Sequence, residues 1–154
     1  MSGYMVPPGD GRSFGPGIRI KVEHGASPDL AVFESFVPAL WPGPGLHLHR
    51  SYDEGVYVLD GTIVFTLDGV EHTCPPGSFV FVPRGCSHGF ANRSADPARI
   101  LPVTTPGAIR LVEELFHLER AAHAGGQADP DHAAVDPAAV AALVAQYDSE
   151  LLAD

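Results

Sequence analysis

His47-Leu48-His49 sets two imidazoles one residue apart, and Glu54 follows five residues after the second. In an extended segment alternate side chains point the same way, so the two rings stand side by side and can converge on one metal ion. The run Arg50-Ser51-Tyr52-Asp53 is polar and suited to a bend that returns the Glu54 carboxylate to the same ion. Two histidines and one carboxylate hold a cation while leaving several of its positions open. His88, directly after the turn Pro83-Arg84-Gly85-Cys86-Ser87, is a fourth candidate ligand. The remaining histidines, His24, His72, His117, His123 and His132, fall in turn, hairpin or helix contexts and are read as solvated. Cys86 is read as a small buried thiol, Asp53 as a surface carboxylate and Asn92 as a partner for backbone groups. Alternation from Glu54 puts Tyr57 on the opposite face.

The segments that must position these groups are short and densely punctuated. Ile18–Val22 alternates apolar and basic residues, and Ala31–Val37 is β-branched and aromatic, so each is expected as a strand. Residues 1–17 read as loop with at most one short edge strand. Trp41-Pro42-Gly43-Pro44-Gly45 breaks regular structure just before the histidine pair, and Trp41 is either a lid or a packing residue. Further strands are expected at Val56–Leu59, Thr62–Leu67, Val70–Thr73, Ser78–Val82, His88–Asn92 and Arg99–Thr104. Asp68-Gly69 is a strong two-residue hairpin signal. Many short strands at this spacing indicate an antiparallel sandwich or barrel. Beyond it the pattern changes to helix. Thr105-Pro106 caps a segment with Ile109, Val112, Leu115 and Phe116 on one stripe, and Gly125-Gly126 stops it. Gln127–Val135 reads as a linker. Asp136-Pro137 then starts a second helix whose face carries Val140, Leu143, Val144, Tyr147 and Leu151. The expected organisation is a β-barrel with its N-terminal strands over residues 1–104 and a helical extension over 105–154, packed on it within the same domain.

Composition narrows the function classes. The chain has 154 residues, with 17 glycines and 15 prolines, as suits strands joined by turns rather than a helix bundle. The formal charge is −10. No Lys or Arg follows Arg120, whereas Asp129, Asp131, Asp136, Asp148, Glu150 and Asp154 do, so the acidic tail is read as a solubility element. With no basic patch to neutralise phosphates, nucleic acid is not an expected partner. No apolar run reaches the length of a membrane span, and the N-terminus lacks the pattern of a signal peptide, so a cytoplasmic location is expected. Cys74 and Cys86 are expected to stay unpaired there.

The joint spacing around the histidines resembles the cupin superfamily. In its first motif two histidines flank one residue, a glutamate follows after four more and a glycine after six. His47, His49, Glu54 and Gly61 meet that spacing. Its second motif runs through a glycine, a Pro-x-Gly, a histidine and an asparagine, here Gly77, Pro83, Gly85, His88 and Asn92. The leading glycine of the first motif is the one departure: Trp41 stands near its place, with Gly43 and Gly45 close by. The resemblance implies a double-stranded β-helix, or jelly-roll, barrel followed by the two helices. It implies one divalent transition metal ion (Fe, Mn, Ni, Co, Cu or Zn) held inside by His47, His49, Glu54 and His88. It also makes a homodimer the expected assembly. The wording around the motifs is similar to that of actinobacterial monocupins grouped with quercetin 2,3-dioxygenases. That implies a dioxygenase acting on an aromatic or enolisable small molecule, with Glu54 as the catalytic proton acceptor. A metal-dependent cyclase or isomerase of a polyketide-like substrate, and a non-enzymatic small-molecule-binding cupin, use the same residues. Phe90 and Asn92 share the face of His88, and Phe33 or Phe36, Phe65, Phe79 and Phe81 are further wall candidates, which favours a hydrophobic or planar ligand.

Overall fold

Alternating burial along the strands divides the chain between two antiparallel sheets. The computed structural model describes residues 2–15, 17–124 and 135–152. Its strands are β1 (Arg12–Ser13), β2 (Ile18–Val22), β3 (Ala31–Val37), β4 (His47–His49), β5 (Glu54–Asp60), β6 (Ile63–Leu67), β7 (Val70–Cys74), β8 (Phe79–Val82), β9 (His88–Ala91), β10 (Ala98–Thr104) and β11 (Ser149–Leu151). Two helices, α1 (Pro106–Ala124) and α2 (Pro137–Gln146), lie between β10 and β11. One sheet has the order β1-β2-β3-β10-β5-β8 and the other β11-β4-β9-β6-β7. The two sheets form the expected jelly roll.

The local causes are legible. β6 and β7 form a hairpin in which Asp68 and Gly69 take φ of 46° and 79°, the paired left-handed conformation of a tight primed turn. On β10, Ala98, Ile100, Pro102 and Thr104 are buried or face inward while Arg99 is exposed. Inside the barrel Val37, Val56, Val58, Ile63, Phe65, Val80, Val82 and Ile100 form one cluster. A second cluster, Phe14, Ile18, Ile20, Ala31 and Phe33, is covered by Ile109 of α1. The Asp136 carboxylate accepts from the Ala138 amide at 3.0 Å and Pro137 occupies the first turn, the expected cap of α2.

The tail departs from the sequence reading in one respect. The helical stripe was expected to run through Tyr147 and Leu151, but α2 ends at Gln146. Asp148 adopts φ 53°, turning the chain out of the helix, and β11 pairs with β4 in the register Ser149↔His49, Glu150↔Leu48 and Leu151↔His47. Gly125-Gly126 and the linker residues 127–134 lie outside the described residues, as do the side chain of His123 and all of His132. No helix among the described residues is long and apolar enough to cross a membrane.

Candidate metal centre

β4 is only three residues long, yet it lies between β9 and β11 and carries two of the candidate ligands. His47 is directly opposite His88 across the β4–β9 pair. Alternation points His47 and His49 to one side, and all three rings meet there. Ring centroids are 4.2 Å apart for His47 and His88, 4.8 Å for His49 and His88, and 5.2 Å for His47 and His49. One ligating nitrogen from each ring lies within 4.8 Å of the other two. Glu54, the first residue of β5, reaches in from the facing sheet, with its Oε2 at 3.7 Å from His88 Nε2. It is adjacent to the three-histidine set but outside that mutual cluster.

Hydrogen bonds orient two of the rings. His47 Nδ1 is 3.0 Å from the Gly45 carbonyl and His88 Nδ1 is 3.1 Å from the Cys86 carbonyl. A carbonyl only accepts, so each Nδ1 carries a proton, and in the neutral ring Nε2 is then the atom with the free lone pair. His88 Nε2 and His49 Nδ1 are buried with no hydrogen-bond partner. A buried polar atom left unpaired is costly and uncommon, and two of them in one cluster call for a further group. Burial is the main cause lowering the pKa values of His47 and His49, that of His49 to about 3, with the neighbouring histidines adding to it. His47 and His49 are therefore held neutral, the form that donates to a metal. The donor set fits a divalent transition cation, with His47, His49 and His88 as its ligands and Glu54 within reach.

Tyr52 went unrecognised in the sequence. It was read as part of a polar bend, but it is buried, and its ring stacks on that of His49 at 4.2 Å and 36°. Its hydroxyl lies near Ser149 of β11, and burial pushes the phenol's pKa up. Residues 52 and 54 share one alternation phase, and that was the available signal. Asp53 is a surface carboxylate as expected, paired with Arg84 at 3.0 Å. Asn92 satisfies backbone groups, with Nδ2 donating to the Pro38 and Asp96 carbonyls at 2.9 Å each and Oδ1 accepting from the Ser94 amide.

The aromatic wall is smaller than expected. Phe65 and Phe90 stack at 5.4 Å within the barrel, and Trp41 packs on Phe90 at 5.5 Å, so Trp41 is a packing residue. Phe33 belongs to the cluster under α1. Phe36, Phe79 and Phe81 are exposed, as is Tyr57, so these three phenylalanines are not part of the barrel's inner wall. In the apolar run Phe79-Val80-Phe81-Val82 both faces are hydrophobic, and Val80 and Val82 take the inner one. A cleft of about 590 Å³ opens beside Tyr52 and Glu54, bordered by Phe79, Phe81, Arg84 and Thr104. The loop glycine next to the missing motif position also has a role. Gly43 has φ 93°, and a Cβ there would lie 1.8 Å from the Phe90 carbonyl oxygen.

Residues 37–104 match the family model described as a cupin domain. Over 93 residues the chain is 30% identical to the HTH-type transcriptional regulator PuuR of Escherichia coli, covering 58% of this chain and 49% of the regulator. Over 64 residues it is 33% identical to quercetin 2,3-dioxygenase of Bacillus subtilis, covering 42% of this chain and 19% of that protein. The chain thus spans half or less of these two relatives. Among solved structures, the polyketide cyclase RemF from Streptomyces resistomycificus is 25% identical with a TM-score of 0.52, covering 58% of this chain and 63% of that one.

Proposed function

We propose that this chain, whose residues 37–104 match the cupin-domain model, is a metal-dependent enzyme, a dioxygenase acting on an aromatic or enolisable small molecule. The reading is carried by one observation: three imidazoles converge with buried, unpaired nitrogens beside the Glu54 carboxylate. His47, His49, His88 and Glu54 would hold one divalent cation, which when bound supplies Lewis acidity toward a substrate oxygen and a binding position for dioxygen. Glu54 takes the proton from the substrate hydroxyl, because its carboxylate stands at the edge of the ligand set and also lines the cleft. Phe65 and Phe90 give the interior an apolar surface that excludes water and favours a planar ligand. Tyr52 keeps the His49 ring in place. We read residues 1–104 and 105–154 as one domain, the protein as a cytoplasmic homodimer, and a small molecule rather than a macromolecule as its ligand.

A second reading is supported by the likeness to RemF, which covers more of the chain than the likeness to the dioxygenase does. In it the protein is a cyclase or isomerase of a polyketide-like substrate, and Glu54 removes a proton next to a carbonyl with no oxygen consumed. The likeness to PuuR supports a third, a ligand-binding domain without turnover.

Metal analysis and oxygen uptake separate the three. The purified protein should carry about one transition metal per chain, and the loaded protein should consume oxygen with a flavonol substrate. A flat oxygen trace with product formed from a polyketide-like substrate would move the assignment to the cyclase. Absence of stoichiometric metal after reconstitution would remove both enzyme readings.

A further inference from the structure

Thr104, the last residue of β10, is 4% exposed, and its Oγ1 is buried with no hydrogen-bond partner. Strand register shows what stands next to it. Between β10 and β5, Ile100 is opposite Val58, Pro102 opposite Val56 and Val103 opposite Gly55. Ile100, Val58 and Val56 belong to the barrel cluster, so the even-numbered residues of both strands face inward. The next step of the same register sets Thr104 beside Glu54 on that inner face, where the Cβ atoms of such neighbours are ~5 Å apart. Both residues also border the cleft of about 590 Å³. On its other side Thr104 is opposite the buried Ala31, whose side chain offers no polar atom.

Glu54 is as short of partners as Thr104 is. Its backbone is well fixed: it is opposite Val82 on β8, and the preceding Asp53 accepts from the Arg84 amide at 2.9 Å and guanidinium at 3.0 Å. Its carboxylate is not. No described residue hydrogen-bonds it, and the 3.7 Å from Oε2 to His88 Nε2 is beyond hydrogen-bond range. A carboxylate that ligates through one oxygen keeps lone pairs on the other, and an outer donor to that oxygen fixes its direction. We propose that Thr104 is the positioning residue of Glu54. Its hydroxyl donates to the carboxylate oxygen turned away from the histidines and holds the other oxygen toward the cation site. This role rests on the reading of Glu54 as a metal ligand and names what orients it.

One hydrogen bond then satisfies both groups, and side-chain rotation alone brings them together. β10 lies between β3 and β5, so the donor stands on a strand paired along both edges. Burial keeps water from competing for the hydroxyl. The other three candidate ligands already have an outer contact of this kind. His47 and His88 are tied to the Gly45 and Cys86 carbonyls, and His49 is backed by the Tyr52 ring. Glu54 alone among the four lacks one, and Thr104 is the unused donor beside it.

Titration of the full metal-free chain with cobalt(II) tests this, because visible absorption reports the ligand set as well as the affinity. Glu54→Ala should weaken cobalt binding and change the spectrum. Thr104→Val keeps the β-branched shape; it should weaken binding ~10–100-fold and shift the spectrum in the same sense, while Thr104→Ser should stay within a few-fold of wild type. The double variant T104V/E54A should bind no more weakly than E54A, since a donor with no carboxylate to hold contributes nothing. Stability should move the opposite way. Without metal, T104V should melt at or above the wild-type temperature, because a methyl group replaces a buried unpaired hydroxyl. Wild-type affinity in T104V, equal losses in T104V and T104S, additive losses in the double variant, or a T104V protein that melts below the wild type overturns the role of Thr104. An E54A protein that binds cobalt as the wild type does removes Glu54 from the ligand set, and the role of Thr104 with it. Oxygen uptake is a separate measurement: a flat trace alongside the expected cobalt results changes the reaction assigned to the site and leaves Thr104 in place.

Discussion

Removing metal and lowering the pH should destabilise the protein well above the range in which its carboxylates titrate. Burial among the other imidazoles holds His49 at about 3 in the folded chain, whereas an unfolded chain returns it to an ordinary value near 6.5. The unfolded state then binds more protons between these values, so stability falls as the pH falls through 6.5 and continues to fall toward 3. At 1.36 kcal/mol per unit, His49 alone should remove ~2 kcal/mol between pH 7.5 and pH 5. His47, lowered for the same reason, adds a loss of the same sign. Asp53 is held at about 2 by Arg84, and Glu71 and Glu113 are lowered by arginines, so their losses begin only as the pH falls into the ordinary carboxylate range, near 4. Urea titrations of chelator-treated protein at half-unit intervals from pH 8 to 5 should give this slope, and His49→Gln should flatten it. Metal at one hundred times its dissociation constant should add ~2.7 kcal/mol near neutrality. That increment should fade on acidification, because protons compete for the same nitrogens. Constant stability from pH 7.5 to 5, or parallel curves for wild type and His49→Gln, would refute the view that these rings are buried neutral and poised for a cation.

Two further outcomes follow from single contacts. Tyr52→Ala removes the ring stacked on His49 and should weaken metal binding by calorimetry ~10–100-fold, whereas Tyr52→Phe keeps the ring and should stay within a few-fold of wild type; equal affinities for all three would show that the stacking does not position the ligand. Gly43→Ala should cost ~2–4 kcal/mol in thermal or urea unfolding, because its Cβ would meet the Phe90 carbonyl oxygen, while Gly45→Ala, at φ 82° with open space around it, should cost ~1 kcal/mol. Equal losses at the two sites would remove the steric argument.

The grouping of the three histidines was legible because spacing and alternation are local properties. His47 and His49 point one way by the strand period, and a second motif some forty residues on supplied His88. Their meeting across β4 and β9, in a single opposed pair, is a matter of sheet register that no local pattern states. The phenylalanines failed for the opposite reason. Alternation carries information only when the two faces differ in polarity, and in Phe79-Val80-Phe81-Val82 they do not. The larger residues went outward because the inner face there is filled by the barrel cluster of Val80 and Val82 with Val56 and Val58. At the C-terminus, Leu151 fits the helical stripe begun by Val140, yet one left-handed residue, Asp148, ends that reading and starts a strand.

That strand alters where the metal centre begins and ends in the sequence. The match to the cupin-domain model closes at residue 104, and all four candidate ligands lie within it. Yet β4, which bears two of them, is three residues long and shares only one opposed pair with β9, His47 with His88. On its other side it shares three pairs with β11, and there Ser149 is opposite His49. The Arg50 amide donates to the Asp148 carbonyl and the Leu152 amide to the Leu46 carbonyl, extending the attachment past both ends of β4. Arg50 and Glu150 pair across the same edge. Ser149 is buried, its hydroxyl donates to the Tyr147 carbonyl at 3.1 Å, and it lies near Tyr52, which backs the His49 ring. A strand this short keeps its backbone fixed only through its neighbours, so the orientation of His49 is shared between the matched segment that carries it and a tail about a hundred residues away. Local opening of the tail would loosen His49 before it disturbed His47 or His88, whose Nδ1 atoms are tied to carbonyls near their own strands. The acidic end of the chain therefore helps to position a candidate metal ligand as well as carrying charge.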